Sequence, residues 1–279
     1  MDIIHIIKTI ILGIVEGLTE YAPVSSTGHM IIVDDVWLQS KEFLTAPVAN
    51  TFKVVIQLGS ILAAIVVFWH RFLDLLGLKR MNLDAMNPRV ADGRLKLSHV
   101  IVGLIPAGIL GVLTENYIDE HLFSTATVLV GLVVGALLMI AADRFGPKVP
   151  KTETVDQMTY KQALTVGLVQ CLSLWPGFSR SGSTISGGVL VGMSYRAASD
   201  FTFIMAVPIM AGASGISLLK NWEFITMDAL PYFIAGFISA FIVALLAIRF
   251  FLKLIHRIKL VPFAIYRILL AVVIYFVYF

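Results

Sequence analysis

Cysteine occurs once in this chain, at Cys171, so no disulfide can form within it, and a lone thiol says nothing about redox compartment. Charge is scarce too. Only 14% of the 279 residues are Asp, Glu, Lys or Arg, against roughly 25% in an ordinary soluble domain. The formal net charge of +3 is too small to attract nucleic acid, so no such partner is expected. No P-loop or Rossmann glycine pattern is present, so nucleotide use is not indicated. There is no low-complexity segment, and no stretch forms a soluble domain of useful size. The first residues include Asp2 and Lys8 but no basic n-region and no small-residue cleavage site, so the N-terminal segment is expected to be retained.

What the chain has in abundance is apolar length. Hydrophobic residues make up 58% of it, and the mean hydropathy is +0.89. The expectation is an all-α polytopic membrane protein, a single integral membrane domain over 1–279, with membrane lipids as its surroundings. A spanning helix needs about 20 apolar residues. Six stretches qualify, near 51–69, 98–114, 124–142, 198–219, 230–248 and 261–279. Two others do not fit. Residues 3–15 stop at Glu16, and 162–178 are interrupted by Gln170 and by Pro176-Gly177. Each is followed by a Ser/Gly-rich turn and more apolar sequence. That pattern predicts two re-entrant helix-loop-helix pairs, each entering, turning at depth and leaving by the same side.

The loops orient these elements. Loops 70–97, 143–161 and 249–260 are rich in Lys and Arg, whereas 115–123 and 221–229 carry acids and no Lys or Arg. The basic loops are expected to be cytoplasmic. Both termini then lie outside, and the two re-entrant pairs enter from opposite faces. The chain divides into inverted repeats of about 1–145 and 155–279, each a re-entrant pair followed by three spans. Such repeats bring polar turns together near the bilayer midplane.

The turns are visible as copies. Glu16-Gly-Leu-Thr-Glu20-Tyr-Ala-Pro-Val-Ser25-Ser26-Thr27-Gly28-His29 aligns without a gap to Gln170-Cys-Leu-Ser-Leu174-Trp-Pro-Gly-Phe-Ser179-Arg180-Ser181-Gly182-Ser183. The offset is 154 residues, so Gly13 meets Gly167 and Ser25 meets Ser179. The first copy holds the acids and a histidine, the second an arginine. Polar groups at this depth point to function. Glu16 and Glu20 are four apart and share one helix face. They suit a divalent cation, Mg²⁺ or Ca²⁺, or a shared proton. Ser25, Ser26 and Thr27 follow the helix breaker Pro23, in a turn that can aim hydroxyls and amides at an anion and also cap the next helix. His29, three residues beyond Ser26, is a plausible base for a serine nucleophile. Arg180, flanked by Ser179 and Thr184, offers the planar fork that suits phosphate. Acids, a hydroxyl, an imidazole and a guanidinium together suit phosphoryl transfer.

The segments EGLTE (16–20), PVSSTGH (23–29), LWPGFSRSG (174–182), TISGG (184–188) and PFAIYR (262–267) resemble the undecaprenyl-diphosphatase family, also called bacitracin-resistance proteins. The similarity runs over essentially the whole chain. It implies a divalent-metal-dependent phosphatase of the bacterial cytoplasmic membrane with its site facing the periplasm. Such an enzyme converts undecaprenyl diphosphate to the monophosphate carrier used in cell-wall synthesis. The resemblance implies metal binding and catalysis for Glu16 and Glu20, and a nucleophile's role for Ser26. It makes His29 essential as base or nucleophile, and assigns phosphate binding to Arg180. Ser183 departs from the alanine expected there. A homodimer stays open.

Two other readings are weighed. A lipid-phosphatase class with PSGH-like and SR-containing motifs needs a second histidine soon after the arginine, and Ser-Gly-Ser-Thr-Ile follows Arg180. Broken helices in inverted repeats also characterise transporters, so movement of lipid phosphate is a second expectation. The expected mechanism has Arg180, Ser179, Thr184 and loop amides grip the diphosphate while Ser26, assisted by His29, attacks the terminal phosphorus.

Overall fold

The computed structural model describes residues 2–78, 93–122 and 124–278. Among them there is no strand, only one isolated bridge between Thr152 and Met193. Among the described residues eleven α-helices carry the fold. In the first half, α1 (Ile3–Thr19) and α2 (Ser26–Val33) precede α3 (Ala46–Val67), α4 (Trp69–Leu75), α5 (Leu97–His121) and α6 (Thr125–Phe145). In the second half, α7 (Tyr160–Gln170) and α8 (Arg180–Leu190) precede α9 (Tyr195–Asn221), α10 (Leu230–Ile258) and α11 (Val261–Tyr278).

Local chemistry sets where these helices begin. Asp2, Ser124, Thr159 and Ser194 each accept a backbone N–H from the first turn they precede, which satisfies one of the helix's orphan donors. Pro47 sits in the first turn of α3, where a missing N–H does no harm. Between α2 and α3 the chain is fastened by Asp34, which accepts from the Ser40 amide and hydroxyl and pairs with Lys53 at 2.5 Å.

Among the described residues five helices are long and apolar enough to cross a membrane: Pro47–Val67, Leu97–Ile118, Thr125–Phe145, Tyr195–Phe224 and Leu230–Ile258. The chain is therefore a multi-pass membrane protein. The sixth expected span is a shorter apolar helix, Val261–Val277. The helices α7 and α8, with 11 residues each, reach only about 16 Å, half of a hydrocarbon core of roughly 30 Å.

Two expected loops are otherwise. Residues 249–257 continue α10 to Ile258, with Arg249, Lys253 and Arg257 exposed at every fourth position. Arg and Lys are good helix formers whose stems can lie along apolar surface, so a basic cluster need not end a helix. The break comes at Lys259, with φ of 62°. In the loop expected over 70–97, the start belongs to α4, and Lys79, Arg80 and Arg89 lie outside the described residues.

Packing repeats in a paired way. α1 lies along α10, and its equivalent α7 lies along α5. The aligned glycines mark both crossings. Gly13 faces the backbone of Gly236, and Gly167 faces the backbone of Gly103, in each case with no room for a Cβ. In the middle α3 packs on α9, and Ser214 Oγ donates to the Val54 carbonyl at 3.0 Å. α6 packs on α11.

Candidate active site

The two aligned turns share one backbone device. Ser25 has φ of 74° and Ser179 φ of 76°, a left-handed conformation unusual for a residue with a side chain. Each places its hydroxyl on the amide three residues on: Ser25 accepts from Gly28 N at 3.2 Å, and Ser179 from Gly182 N at 3.1 Å. That bond caps α2 and α8 and repays part of the strain. It leaves Ser26 and Arg180 as the first residues of their helices.

Those two first residues meet on one carboxylate. Ser26 Oγ donates to Glu20 Oε2 at 2.5 Å, and Arg180 Nη2 donates to Glu20 Oε1 at 2.6 Å. Glu20 is 6% exposed and its partner guanidinium 14%, so this is a largely dehydrated ion pair with both oxygens engaged. Arg180 Nη1 donates to the Thr202 carbonyl at 3.1 Å, which fixes the plane of the fork. Ser181 Oγ donates to the Ala22 carbonyl at 3.1 Å and ties turn to turn.

A cleft of about 190 Å³ opens beside this pair. Glu20, Ser25, Ser26 and Thr27 line it from the first turn, and Ser179, Arg180 and Ser181 from the second. Thr184 is fully buried and outside the lining. Its hydroxyl donates to the Arg180 carbonyl at 2.8 Å and accepts from Thr202 Oγ1 at 2.8 Å. It therefore braces the arginine rather than meeting a ligand.

His29 stands apart from Ser26. Its Nδ1 bonds the Ser25 carbonyl at 2.8 Å, its Nε2 bonds the Tyr266 hydroxyl at 2.8 Å, and its ring stacks on that of Tyr266. The expected Ser26–His29 hydrogen bond is not formed. The first turn of α2 points the two side chains in different directions, and Glu20 takes the serine proton donor instead.

Glu16 lies one turn before Glu20, fully buried, with the Ser60 hydroxyl beside its carboxylate but no hydrogen bond of good geometry to either oxygen. Gln170, at the equivalent position of the second copy, is equally buried, and its side-chain amide makes no hydrogen bond. Among the described residues no group of three His, Cys, Asp or Glu could hold a metal ion. The donor set still fits a hard cation. Mg²⁺ commonly takes one or two protein carboxylates and completes its shell with substrate phosphates and water. Glu20 faces the cleft, and the Glu16 carboxylate lies on the same helix face.

Four residues were assigned no role from the sequence, although Tyr266 and Arg267 belong to the PFAIYR segment. Gln57, on α3, lines the cleft; an amide within an apolar span was the available signal. Thr202 and Tyr266 act through bonds to Arg180 and His29 described above. Arg267 is fully buried and donates to the carbonyls of Gly131, Gly177 and Phe178 at 3.2, 2.9 and 2.8 Å. It pins the second turn against α6.

The profile of a protein family described as bacitracin resistance protein BacA matches residues 9–273. Among similar proteins, an undecaprenyl-diphosphatase of Geobacillus sp. (strain WCH70) is 76% identical over 279 residues, covering 100% of both chains. Proteins of the same name from Geobacillus kaustophilus (strain HTA426) and Bacillus subtilis (strain 168) are 74% and 61% identical. The first match covers 98% of this chain and 97% of the relative, the second 94% of each.

Proposed function

The chain belongs to the bacitracin resistance protein BacA family, and on that premise we propose the reaction its cleft carries out. It is a membrane phosphatase that hydrolyses undecaprenyl diphosphate to undecaprenyl phosphate and inorganic phosphate. This recycles the carrier lipid for peptidoglycan synthesis and confers bacitracin resistance. The observation that carries the site assignment is the shared carboxylate of Glu20, with Ser26 on one oxygen and Arg180 on the other.

Phosphoryl transfer needs positioning and charge stabilisation above all. Arg180, already oriented by Thr202, turns its fork from Glu20 to the diphosphate and binds it in two-pronged fashion. The hydroxyls of Ser25, Thr27 and Ser179 and the amides of the two turns add donors around the terminal phosphate. Ser26 Oγ attacks the terminal phosphorus, and its proton passes to Glu20 Oε2. The bond from phosphorus to the bridging oxygen breaks, and undecaprenyl phosphate leaves with that oxygen. Water then adds to the phosphoseryl phosphorus. The bond to Ser26 Oγ breaks, Glu20 returns its proton to that oxygen, and both hydrogens of the water stay on the departing phosphate, which leaves as H₂PO₄⁻. His29 acts as a positioning residue, holding the Ser25 carbonyl and hence the turn.

A divalent cation, Mg²⁺ or Ca²⁺, would be held by Glu20 and Glu16 together with diphosphate oxygens. When bound it offsets the charge of the substrate and of the leaving group.

The paired packing and the equal devices at Ser25 and Ser179 support two inverted repeats of about 1–145 and 155–279 within one domain. Each has a re-entrant pair, α1–α2 and α7–α8, and three spans, with α11 as the sixth. The basic loops support the orientation of the spans in the bacterial cytoplasmic membrane, and a cleft open to the periplasm rests on family membership alone. Glu20, Ser26 and Arg180 meet within one chain, so the chemistry does not require a homodimer.

The decisive measurement is phosphate release from a C55 prenyl diphosphate by the purified protein in detergent. Detergent has no two sides, so a transporter would release none.

A further inference from the structure

The helices α5 and α9 touch at two heights and part between them. At one height Gly103 sits against Phe201 and Met205. At the other, Lys220 Nζ reaches Glu115 Oε1 at 2.7 Å. From Gly103 to Glu115 the rise is about 18 Å, and from Met205 to Lys220 about 22 Å. Helical spacing carries the contact face of α9 from Met205 through Pro208, Ile209, Gly212 and Ile216. Pro208, Gly212 and Ile216 are exposed, although they face the neighbouring helix. On α5 the same face runs from Gly103 through Ala107 to Leu110, and Leu110 is 39% exposed. A Cβ built on Gly212 would meet nothing within 4 Å. The gap is thus a window, closed at both ends and apolar along its sides.

The window is continuous with the cleft. Ile209 belongs to its face of α9, and Ile209, Met210 and Ala213 line the cleft. From the other side comes Leu174. It lines the cleft and is also the nearest neighbour of a Cβ built on Gly111 of α5, at 3.4 Å. Leu174 is the repeat equivalent of Glu20, so the two copies contribute a carboxylate and an apolar plug to one cavity.

We propose that this window between α5 and α9 is the lateral portal through which the substrate's prenyl chain passes from the cleft into the bilayer, with Leu174 as its gate. The inference rests on the phosphatase reading above. A diphosphate seated at Arg180 leaves an apolar chain far longer than a 190 Å³ cleft can hold, and this window joins the cleft to the bilayer along an apolar path.

The test compares two substrates. Gly212→Trp fills the window from a position in open space, and Gly108→Trp serves as control. Gly108 is equally open but lies on another face of α5, by its spacing from Gly103. Phosphate release is measured with a C55 prenyl diphosphate and with a C5 prenyl diphosphate short enough to stay inside the cleft. Gly212→Trp should lower kcat/KM at least tenfold for the C55 compound and less than twofold for the C5 compound, with Gly108→Trp near wild type for both. An unchanged C55 rate, or an equal loss on both substrates, overturns the portal. No release from the C55 compound by the wild-type protein would overturn the phosphatase reading itself, and the portal with it. A reversible version guards against misfolding. Gly212→Cys in a Cys171→Ser background is modified with methanethiosulfonates of increasing size. C55 turnover should fall as the reagent grows and return on reduction; indifference to the largest reagent counts against the portal.

Discussion

The guanidinium of Arg180 lies 2.6 Å from the carboxylate of Glu20, a residue 160 positions earlier in the chain. Each is the charged member of an aligned pair whose other residue is uncharged: Glu20 faces Leu174 in the alignment, and Arg180 faces Ser26. The ion pair therefore fastens the two copies together and at the same time poises both groups for a diphosphate.

Breaking the pair from one side should damage stability as well as turnover. Glu20→Gln leaves a buried guanidinium without its counter-charge, a loss of about 3–5 kcal/mol for pairs of this kind. Thermal unfolding in detergent should shift down and activity should fall at least a hundredfold. Adding Arg180→Met should recover much of the unfolding temperature and none of the activity. A double variant no more stable than Glu20→Gln would show that the pair is not what holds the turns.

Arg180→Lys keeps the charge and loses the fork. A lysine cannot donate to Thr202 and to the diphosphate in one plane. The expected result is a fall in kcat/KM of about two orders of magnitude, with little change in unfolding temperature because Glu20 keeps a cation. A near wild-type rate would remove Arg180 from phosphate binding.

Ser26→Ala separates chemistry from capping. Ser25, not Ser26, accepts the amide that starts α2, so the fold should survive while phosphate release drops by more than a hundredfold. Rapid quenching of the wild type with a terminally labelled substrate should trap label on Ser26. Full activity in the variant, or no trapped label, would count against a phosphoseryl intermediate.

For His29 the contrast between two variants is informative. If its role is to hold the Ser25 carbonyl, His29→Asn, which keeps a donor on a short planar side chain, should retain several-fold more activity than His29→Ala. Equal and complete loss in both would point to the imidazole acting directly on substrate.

Chelation should abolish phosphate release, and Mg²⁺ or Ca²⁺ should restore it. Glu16→Gln should raise the cation concentration needed for half-maximal activity about tenfold or more. It should do so with little change in unfolding temperature, since glutamine keeps the shape of the side chain and can still meet the Ser60 hydroxyl. Unaltered cation dependence would detach Glu16 from the metal.

The residues of the cleft were legible in the sequence because a polar group in an apolar helix has few reasons to be there. Glu20, Ser26 and Arg180 stood out in this way, and the alignment of the two turns told that they belong together. Their pairing was not legible. Adjacency in sequence favoured Ser26 with His29, whereas the fold gives Ser26 to Glu20 and His29 to Tyr266. Partners that arrive from a distant segment leave no trace in spacing. Thr202 was hidden for the same reason, and the basic run at 249–257 misled because charge marks a membrane boundary without marking the end of a helix.

The separation of Glu20 from Arg180 also has a consequence for biosynthesis. A ribosome adds roughly 5–20 residues per second, so those 160 residues take on the order of 8–30 s to make. Throughout that interval the newly inserted first repeat carries the Glu20 carboxylate without its counter-ion. A chain terminated before Arg180 never acquires one, and its acid stays uncompensated in an apolar setting, where a lone charge is costly.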